Sequence, residues 1–211
     1  MSNEVATQIA RHLLEIKAIK LNPENPFTWT SGWRSPIYCD NRVTLSHHGI
    51  RTFIKQELVN AIRQNFGAVT AIAGVATAGI AQGALVADAL QLPYAYVRPE
   101  PKKHGMKNQI EGQLPVGSNV VVIEDLISTG GSSLKAIEAL REEGFNVLGL
   151  GAIFTYGFDI ASQHFAKANC PMITLCDYNA MLKVAVELKY INENILDDLS
   201  DWRSNPSAWR Q

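Results

Sequence analysis

Apolar and polar positions alternate along this chain in two rhythms. Val5, Ile9, Leu13 and Ile16 recur at the spacing of one helix face, which predicts an amphipathic first helix. Pro23 and Pro26 close that region. The aromatic, Ser/Gly-punctuated segment 27–38 reads as strand, in the manner of a hairpin turning at Ser31-Gly32. Ser46 is placed to cap a helix running to about Gln64. From residue 69 onward, short β-branched runs and longer helical patterns take turns. Strands are predicted over 69–73, 94–97, 120–123, 147–154 and 172–175. Helices are predicted from the 74–79 turn to Leu90, over 132–143 with Gly144 as the stop, and over 160–168, 178–188 and 192–202. The stretch from Arg98 to Ser118 is rich in Gly, Pro and charge and reads as a long loop holding a short hairpin.

Strands that alternate with helices imply right-handed crossovers, and hence an α/β fold with a mostly parallel central sheet flanked by helices on both faces. Ligands in such sheets bind beyond the carboxyl ends of the strands. The aromatic N-terminal segment lies outside the alternation and is expected to fold over the same edge as a small hood. One domain is expected over 1–211, with the hood over about 1–45, the core over about 46–190 and a C-terminal helical tail over about 191–211.

Composition narrows the function classes. Apolar residues make up 46% of the 211, enough for a sizeable core. A net charge of −1 argues against a broad basic surface, so no nucleic-acid partner is expected. No apolar run is long enough to span a bilayer, and the first 20 residues lack a cleavage signature, so neither a membrane partner nor secretion is expected. Cys39, Cys170 and Cys176 are odd in number and lack metal-ligand spacing. They fit reduced, buried thiols in a cytoplasmic protein.

The chemistry concentrates at residues 120–132. Val120 to Ile123 form a run suited to a strand covered on both faces, followed by Glu124-Asp125 and then by Leu126, Ile127, Ser128, Thr129, Gly130, Gly131 and Ser132. Hydroxyls, glycines and unpaired amides at a helix start hold a phosphate, because free N–H groups and the positive helix end converge on it. Two carboxylates beside that cradle accept hydrogen bonds from vicinal hydroxyls or hold a cation such as Mg²⁺, directly or through water. A lone Glu-Asp pair is ordinarily a strand end with solvated acids; the full string is far more specific. It has neither G-x-x-x-x-G-K-[ST] nor G-x-G-x-x-G, so it is not a Walker A loop or a dinucleotide fingerprint. A second small-residue turn, with Ala76, Thr77, Ala78 and Gly79, follows the 69–73 strand and lets backbone N–H groups approach an oxyanion. The long loop brings Arg98, Lys102, Lys103 and His104, in the manner of a lid that delivers cations to a polyanion and excludes water.

The 120–132 string resembles the phosphoribosyl-diphosphate (PRPP) motif of the type I phosphoribosyltransferases. Phe27-Thr28-Trp29-Thr30-Ser31-Gly32, then Ser35-Pro36-Ile37-Tyr38-Cys39-Asp40, the 74–79 turn and the loop to Gly112 extend the resemblance over most of the chain. Together they resemble the orotate phosphoribosyltransferase family. That resemblance implies Mg²⁺-dependent transfer of ribose 5-phosphate from PRPP to orotate, giving orotidine 5′-phosphate and diphosphate in pyrimidine (UMP) synthesis. It implies that Lys102, His104 and Asp125 serve catalysis, and that Glu124 and Asp125 hold the ribose hydroxyls and, indirectly, the metal. Ser128 to Ser132 would hold the 5′-phosphate, with Leu126, Ile127, Lys102 and His104 also among the PRPP contacts, the 76–79 turn and Arg98 the diphosphate, and Tyr38 and Ser128 the orotate. It further implies a homodimer whose lid residues are shared between subunits.

The chain departs from one version of the family at Thr30, Ala78, Pro99 and Tyr156, positions that are cationic there. It shares F-T-W-x-S-G, A-T-A-G and I-F-T-Y with another branch. The contact to the orotate carboxylate stays open, with amides of 77–79 and Arg42 as candidates. Three alternatives stand beside this reading: a purine phosphoribosyltransferase, a non-catalytic PRPP-sensing regulator and a scaffolding α/β domain. Trp202 and Trp209 are placed either across a dimer interface or in an exposed tail. His12, His47, His48 and His164 read as surface or capping residues.

Overall fold

The computed structural model describes residues 3–29, 31–100 and 109–210. Its centre is a six-stranded sheet of β5 (Ala71–Val75), β6 (Tyr94–Val97), β7 (Ile110–Glu111), β8 (Asn119–Ile127), β9 (Asn146–Thr155) and β10 (Met172–Asp177). Their order is β10-β9-β8-β5-β6-β7, parallel throughout except for β7, which returns antiparallel to β6. The predicted loop hairpin is this β6–β7 pair, closed by Arg98 N–H to the Gln109 carbonyl at 2.9 Å.

Helices cover both faces, as their apolar stripes require. On one face lie α1 (Asn3–Glu15), α2 (His48–Asn65), α3 (Gly79–Leu90), α6 (Tyr178–Glu187) and α7 (Leu196–Ser204). On the other lie α4 (Gly131–Glu142) and α5 (Asp159–Lys167). The two apolar clusters divide β8 by its pleat: Val121 and Ile123 face the first, Val120 and Val122 the second. Gly144, at φ +82°, follows the end of α4 as its stop.

Several boundaries differ from those expected. β8 continues four residues past Ile123, because its partner β9 keeps register through Leu126↔Phe154 and Ile127↔Thr155. Glu124 and Asp125 therefore stand within the strand, not beyond it. Gly74 likewise belongs to β5, paired with Tyr96 and Ile123. Ser46 does not cap α2; it ends a short 3₁₀ helix (Asn41–Ser46) capped by the Asp40 carboxylate on the Arg42 amide, and His47 precedes α2 without a side-chain cap.

The N-terminal segment is not one hairpin but two small sheets. β2 (Phe27–Thr28) pairs with β3 (Arg34–Ser35), as the Ser31-Gly32 turn predicts. The next strand, β4 (Ile37–Cys39), leaves that hairpin and pairs with β1 (Ile19–Leu21), which the pattern of residues had not marked. Ser35 directs this switch, its hydroxyl donating to the Ile37 carbonyl at 2.8 Å.

The C-terminal tryptophans are buried within the chain. Trp202 on α7 is fully enclosed, with Trp29, Tyr156, Phe158 and Tyr178 at ring centroid distances of 5.7, 5.6, 5.4 and 5.4 Å. Trp209 is also buried and donates from Nε1 to Asp198. Arg210 joins this end to the hood, donating to the Pro23 carbonyl at 2.6 Å and to Asp198 at 2.8 Å. Trp202→Ala should cost about 3–5 kcal/mol, the range for deleting a buried aromatic ring, read as a lower urea midpoint at unchanged slope.

Candidate active site

Two clefts open at the carboxyl edge of the sheet and share a wall. The first, about 330 Å³, is lined by Ala76, Thr77 and Ala78 on one side, by Glu124 and Asp125 at its base, and by Leu126 and Ser128–Ser133 on the other. The second, about 560 Å³, is lined by Thr28, Trp29, Ser31, Trp33, Tyr38, Cys39 and Tyr156, and it shares Leu126, Ser128 and Thr129 with the first.

Glycines bring the first cleft's two turns together. A Cβ on Gly74 would lie 2.7 Å from the Gly79 carbonyl oxygen, and one on Gly83 would lie 3.1 Å from Gly74 Cα. A Cβ on Gly79 would overlap the Ile123 carbonyl. Only hydrogen at these positions lets the start of α3 rest on β5 and β8. The Ala76 amide donates to the Val97 carbonyl at 2.9 Å, and the Ala76–Thr77 peptide is cis.

The acid pair is held from three directions. Glu124, 5% exposed, accepts from the Asp125 amide at 3.0 Å and from the Ser133 hydroxyl at 3.2 Å. Asn41 donates from Nδ2 to the Asp125 carbonyl at 2.7 Å, which ties the hood side of the chain to β8. Burial pushes the Glu124 carboxyl well above the usual range, and the neighbouring Asp125 charge adds to the shift. Burial raises Asp125 as well, opposed by hydrogen bonding with Glu124 and by nearby amides. Hydroxyl donors or a cation would relieve both groups.

The second cleft is an aromatic slot. Trp29 and Tyr156 lie 5.1 Å apart at 31°, Phe27 and Tyr38 5.7 Å apart at 39°, and Tyr38 is 40% exposed. Its described lining carries no charged side chain. Such a slot takes a flat ring between π-faces, with hydroxyls and amides to orient it.

Of the residues singled out from the sequence, Ala76, Thr77, Ala78, Glu124, Asp125, Leu126 and Ser128–Ser132 meet in the first cleft, and Tyr38 and Ser128 in the second. Gly79 and Ile127 line neither; they are buried in the packing beneath. Arg98 also stands apart from both linings, with Nη1 3.4 Å from Glu111. Arg42 gives its guanidinium to Asp40 at 2.6 and 3.0 Å and lines neither cleft. Lys102 and His104 lie outside the described residues, in a segment that leaves after Glu100 and returns at Gln109. Ser133 was missed, although it follows directly on the motif. So was Asn41, for which no local signal exists. Cys39 is half-buried rather than buried and lines the aromatic slot, while Cys170 and Cys176 are buried; all three are free thiols.

A mostly parallel sheet with an acid pair between two small-residue turns at its carboxyl edge is the arrangement expected of a phosphoribosyltransferase. In agreement, the Phosphoribosyl transferase domain model matches residues 44–178. Orotate phosphoribosyltransferase of Bacteroides thetaiotaomicron is 58% identical over 200 residues, 95% of this chain and 94% of that one. The Porphyromonas gingivalis protein of the same name is 57% identical over 201 residues, 95% of this chain and 96% of that one. Among solved structures, orotate phosphoribosyltransferase from Aeropyrum pernix superimposes with a TM-score of 0.76 at 30% identity, covering 87% of this chain and 99% of that one. The chain belongs to the orotate phosphoribosyltransferase family.

The acid pair makes a pH prediction. Glu124 titrates above the ordinary glutamate value of 4.5 when folded, so the folded state binds this proton more tightly than the unfolded chain does. Its contribution to stability is present below the ordinary value and is lost as pH rises through the folded one. Glu124→Gln, which stays neutral, should therefore melt at least about 2 °C above the unsubstituted protein at pH 8 without ligands. The difference should shrink towards pH 4. Equal melting temperatures at pH 8 would contradict the buried-charge account.

Proposed function

We propose that this chain transfers ribose 5-phosphate from PRPP to N1 of orotate, releasing diphosphate and forming orotidine 5′-phosphate. The observation that carries the reading is the shared wall of Leu126, Ser128 and Thr129 between an aromatic slot and a phosphate-and-acid cleft. A flat base in the slot then faces a sugar carbon held in the cleft, and positioning of this kind supplies much of a transferase's rate.

In this reading Glu124 and Asp125 accept hydrogen bonds from the ribose hydroxyls, and the amides of the 128–132 loop hold the 5′-phosphate. The 76–78 turn holds the diphosphate. Arg98 turns to it from Glu111, since a part-exposed ion pair is a weak competitor. Orotate without its N1 proton is already a competent nucleophile, so stabilisation of separating charge matters more than a general base. The C1–diphosphate bond breaks with oxocarbenium character as N1 closes on C1. Lys102 and His104 meet the developing charge on the leaving group, and by family resemblance they serve the neighbouring subunit's site in a homodimer.

Mg²⁺ suits the donor set. Two adjacent carboxylates raised by burial are hard oxygen ligands, and no group of three or more His, Cys, Asp or Glu side chains exists among the described residues to enclose a metal. Glu124 and Asp125 would hold the ion through water or through ribose hydroxyls, leaving its other positions to substrate oxygens. When bound it supplies Lewis-acid charge at the departing diphosphate. No helix among the described residues is long and apolar enough to cross a membrane, and three free thiols suit the cytoplasm.

The decisive experiment follows orotate absorbance with protein, PRPP and Mg²⁺, beside parallel reactions with adenine and hypoxanthine. Orotate should be consumed only when both PRPP and Mg²⁺ are present; turnover of a purine instead would overturn the reading of the slot. Asp125→Asn should lower kcat/KM about 10²-fold, the usual effect of removing one electrostatic contact at a reacting centre. For the shared lid, inactive Lys102→Ala and Asp125→Asn subunits are mixed. Recovered activity is expected, since some hybrid sites hold both native residues. No recovery after demonstrated subunit exchange would place Lys102 in its own subunit's site.

A further inference from the structure

Helix α5 touches the 128–132 loop at two consecutive residues. The Phe165 ring lies so close to Gly130 that a Cβ there would sit 2.7 Å from ring atom Cε2, and Gly130 has φ +82°. One residue earlier, His164 Nδ1 lies 3.3 Å from the Thr129 carbonyl oxygen. A carbonyl oxygen only accepts, so His164 carries hydrogen on Nδ1 and donates it.

The carbonyl and the following N–H of a trans peptide point in opposite directions. Drawing the Thr129 carbonyl towards α5 therefore turns the Gly130 N–H away from α5. Thr129 and Gly130 line the acid-pair cleft, whereas His164 lines a separate groove between α4 and α5. A peptide followed by glycine is easily turned over, because glycine accepts either backbone region. Contacts must then select the orientation that presents the donor, and α5 supplies one at the Thr129 carbonyl.

We propose that His164 is a positioning residue for the 5′-phosphate of PRPP: its hydrogen bond to the Thr129 carbonyl fixes the Thr129–Gly130 peptide so that the Gly130 N–H faces the phosphate. His164 needs no contact with substrate for this. The inference rests on the reading of the 128–132 loop as the 5′-phosphate cradle.

The test titrates ribose 5-phosphate and pyrophosphate separately into the full chain by calorimetry. His164→Ala should raise the Kd for ribose 5-phosphate about three- to tenfold, the equivalent of one modest hydrogen bond. The KM for PRPP should rise with it, while the Kd for pyrophosphate, which takes the other turn, should move less than about twofold. His164→Asn, whose Nδ2 can donate from nearly the same place, should restore most of the affinity. An unchanged ribose 5-phosphate Kd in His164→Ala, or His164→Asn no better than alanine, would falsify the positioning role. Ser132→Glu separates that failure from failure of the cradle. Its carboxylate at the exposed start of α4 should abolish ribose 5-phosphate binding whatever His164 does. Retained binding in Ser132→Glu would remove the loop itself as the phosphate site.

Discussion

The site depends on how closely one helix approaches the sheet. Gly74 on β5 and Gly79 and Gly83 on α3 leave no room for a Cβ at their contacts, so the first turns of α3 rest on strand backbone. This brings the 76–78 turn to one side of the acid pair while the 128–132 loop flanks the other. A helix standing off by the width of a methyl group would separate the two turns. Close packing is the force that sets the spacing between them.

Charge is the second constraint. Glu124 is buried and Asp125 half-buried beside it, and both carboxyls are pushed up by burial. The Ser133 hydroxyl and the Asp125 amide satisfy part of Glu124, and the rest of its demand falls on whatever enters the cleft. The aromatic slot beside it carries no charged side chain among its described lining residues, which leaves π-faces and hydroxyls as its contact groups. Tyr156 also packs at 5.6 Å from Trp202, which couples the slot to the last helix.

Hood and tail form one supporting unit. Trp29 donates from Nε1 to the Ile37 carbonyl and stacks near Tyr156, while Trp202 closes the cluster from α7. Arg210 and Asp198 then lash the final turn to Pro23. The aromatic slot is thereby built from three distant stretches of chain, 28–39, 126–129 and Tyr156. On the opposite face, α5 touches the 128–132 loop through His164 and Phe165.

The sequence by itself determined the α/β alternation, because a buried parallel strand needs a continuous apolar run and its crossover helix a periodic stripe. It also marked the motif, since Glu124 to Ser132 are contiguous, and all but Ile127 meet at one cleft. Tertiary structure decided what local pattern does not encode. β1 exists because β4 needs a partner, and a three-residue strand carries almost no pattern of its own. β8 runs on to Ile127 because β9 pairs with it there, which places the acids inside the sheet. Asn41 reaching Asp125, Trp202 reaching Trp29 and His164 reaching Thr129 span 84, 173 and 35 positions. Contacts over such separations arise only when the sheet brings its carboxyl edge together, and residue type alone marks none of them in advance.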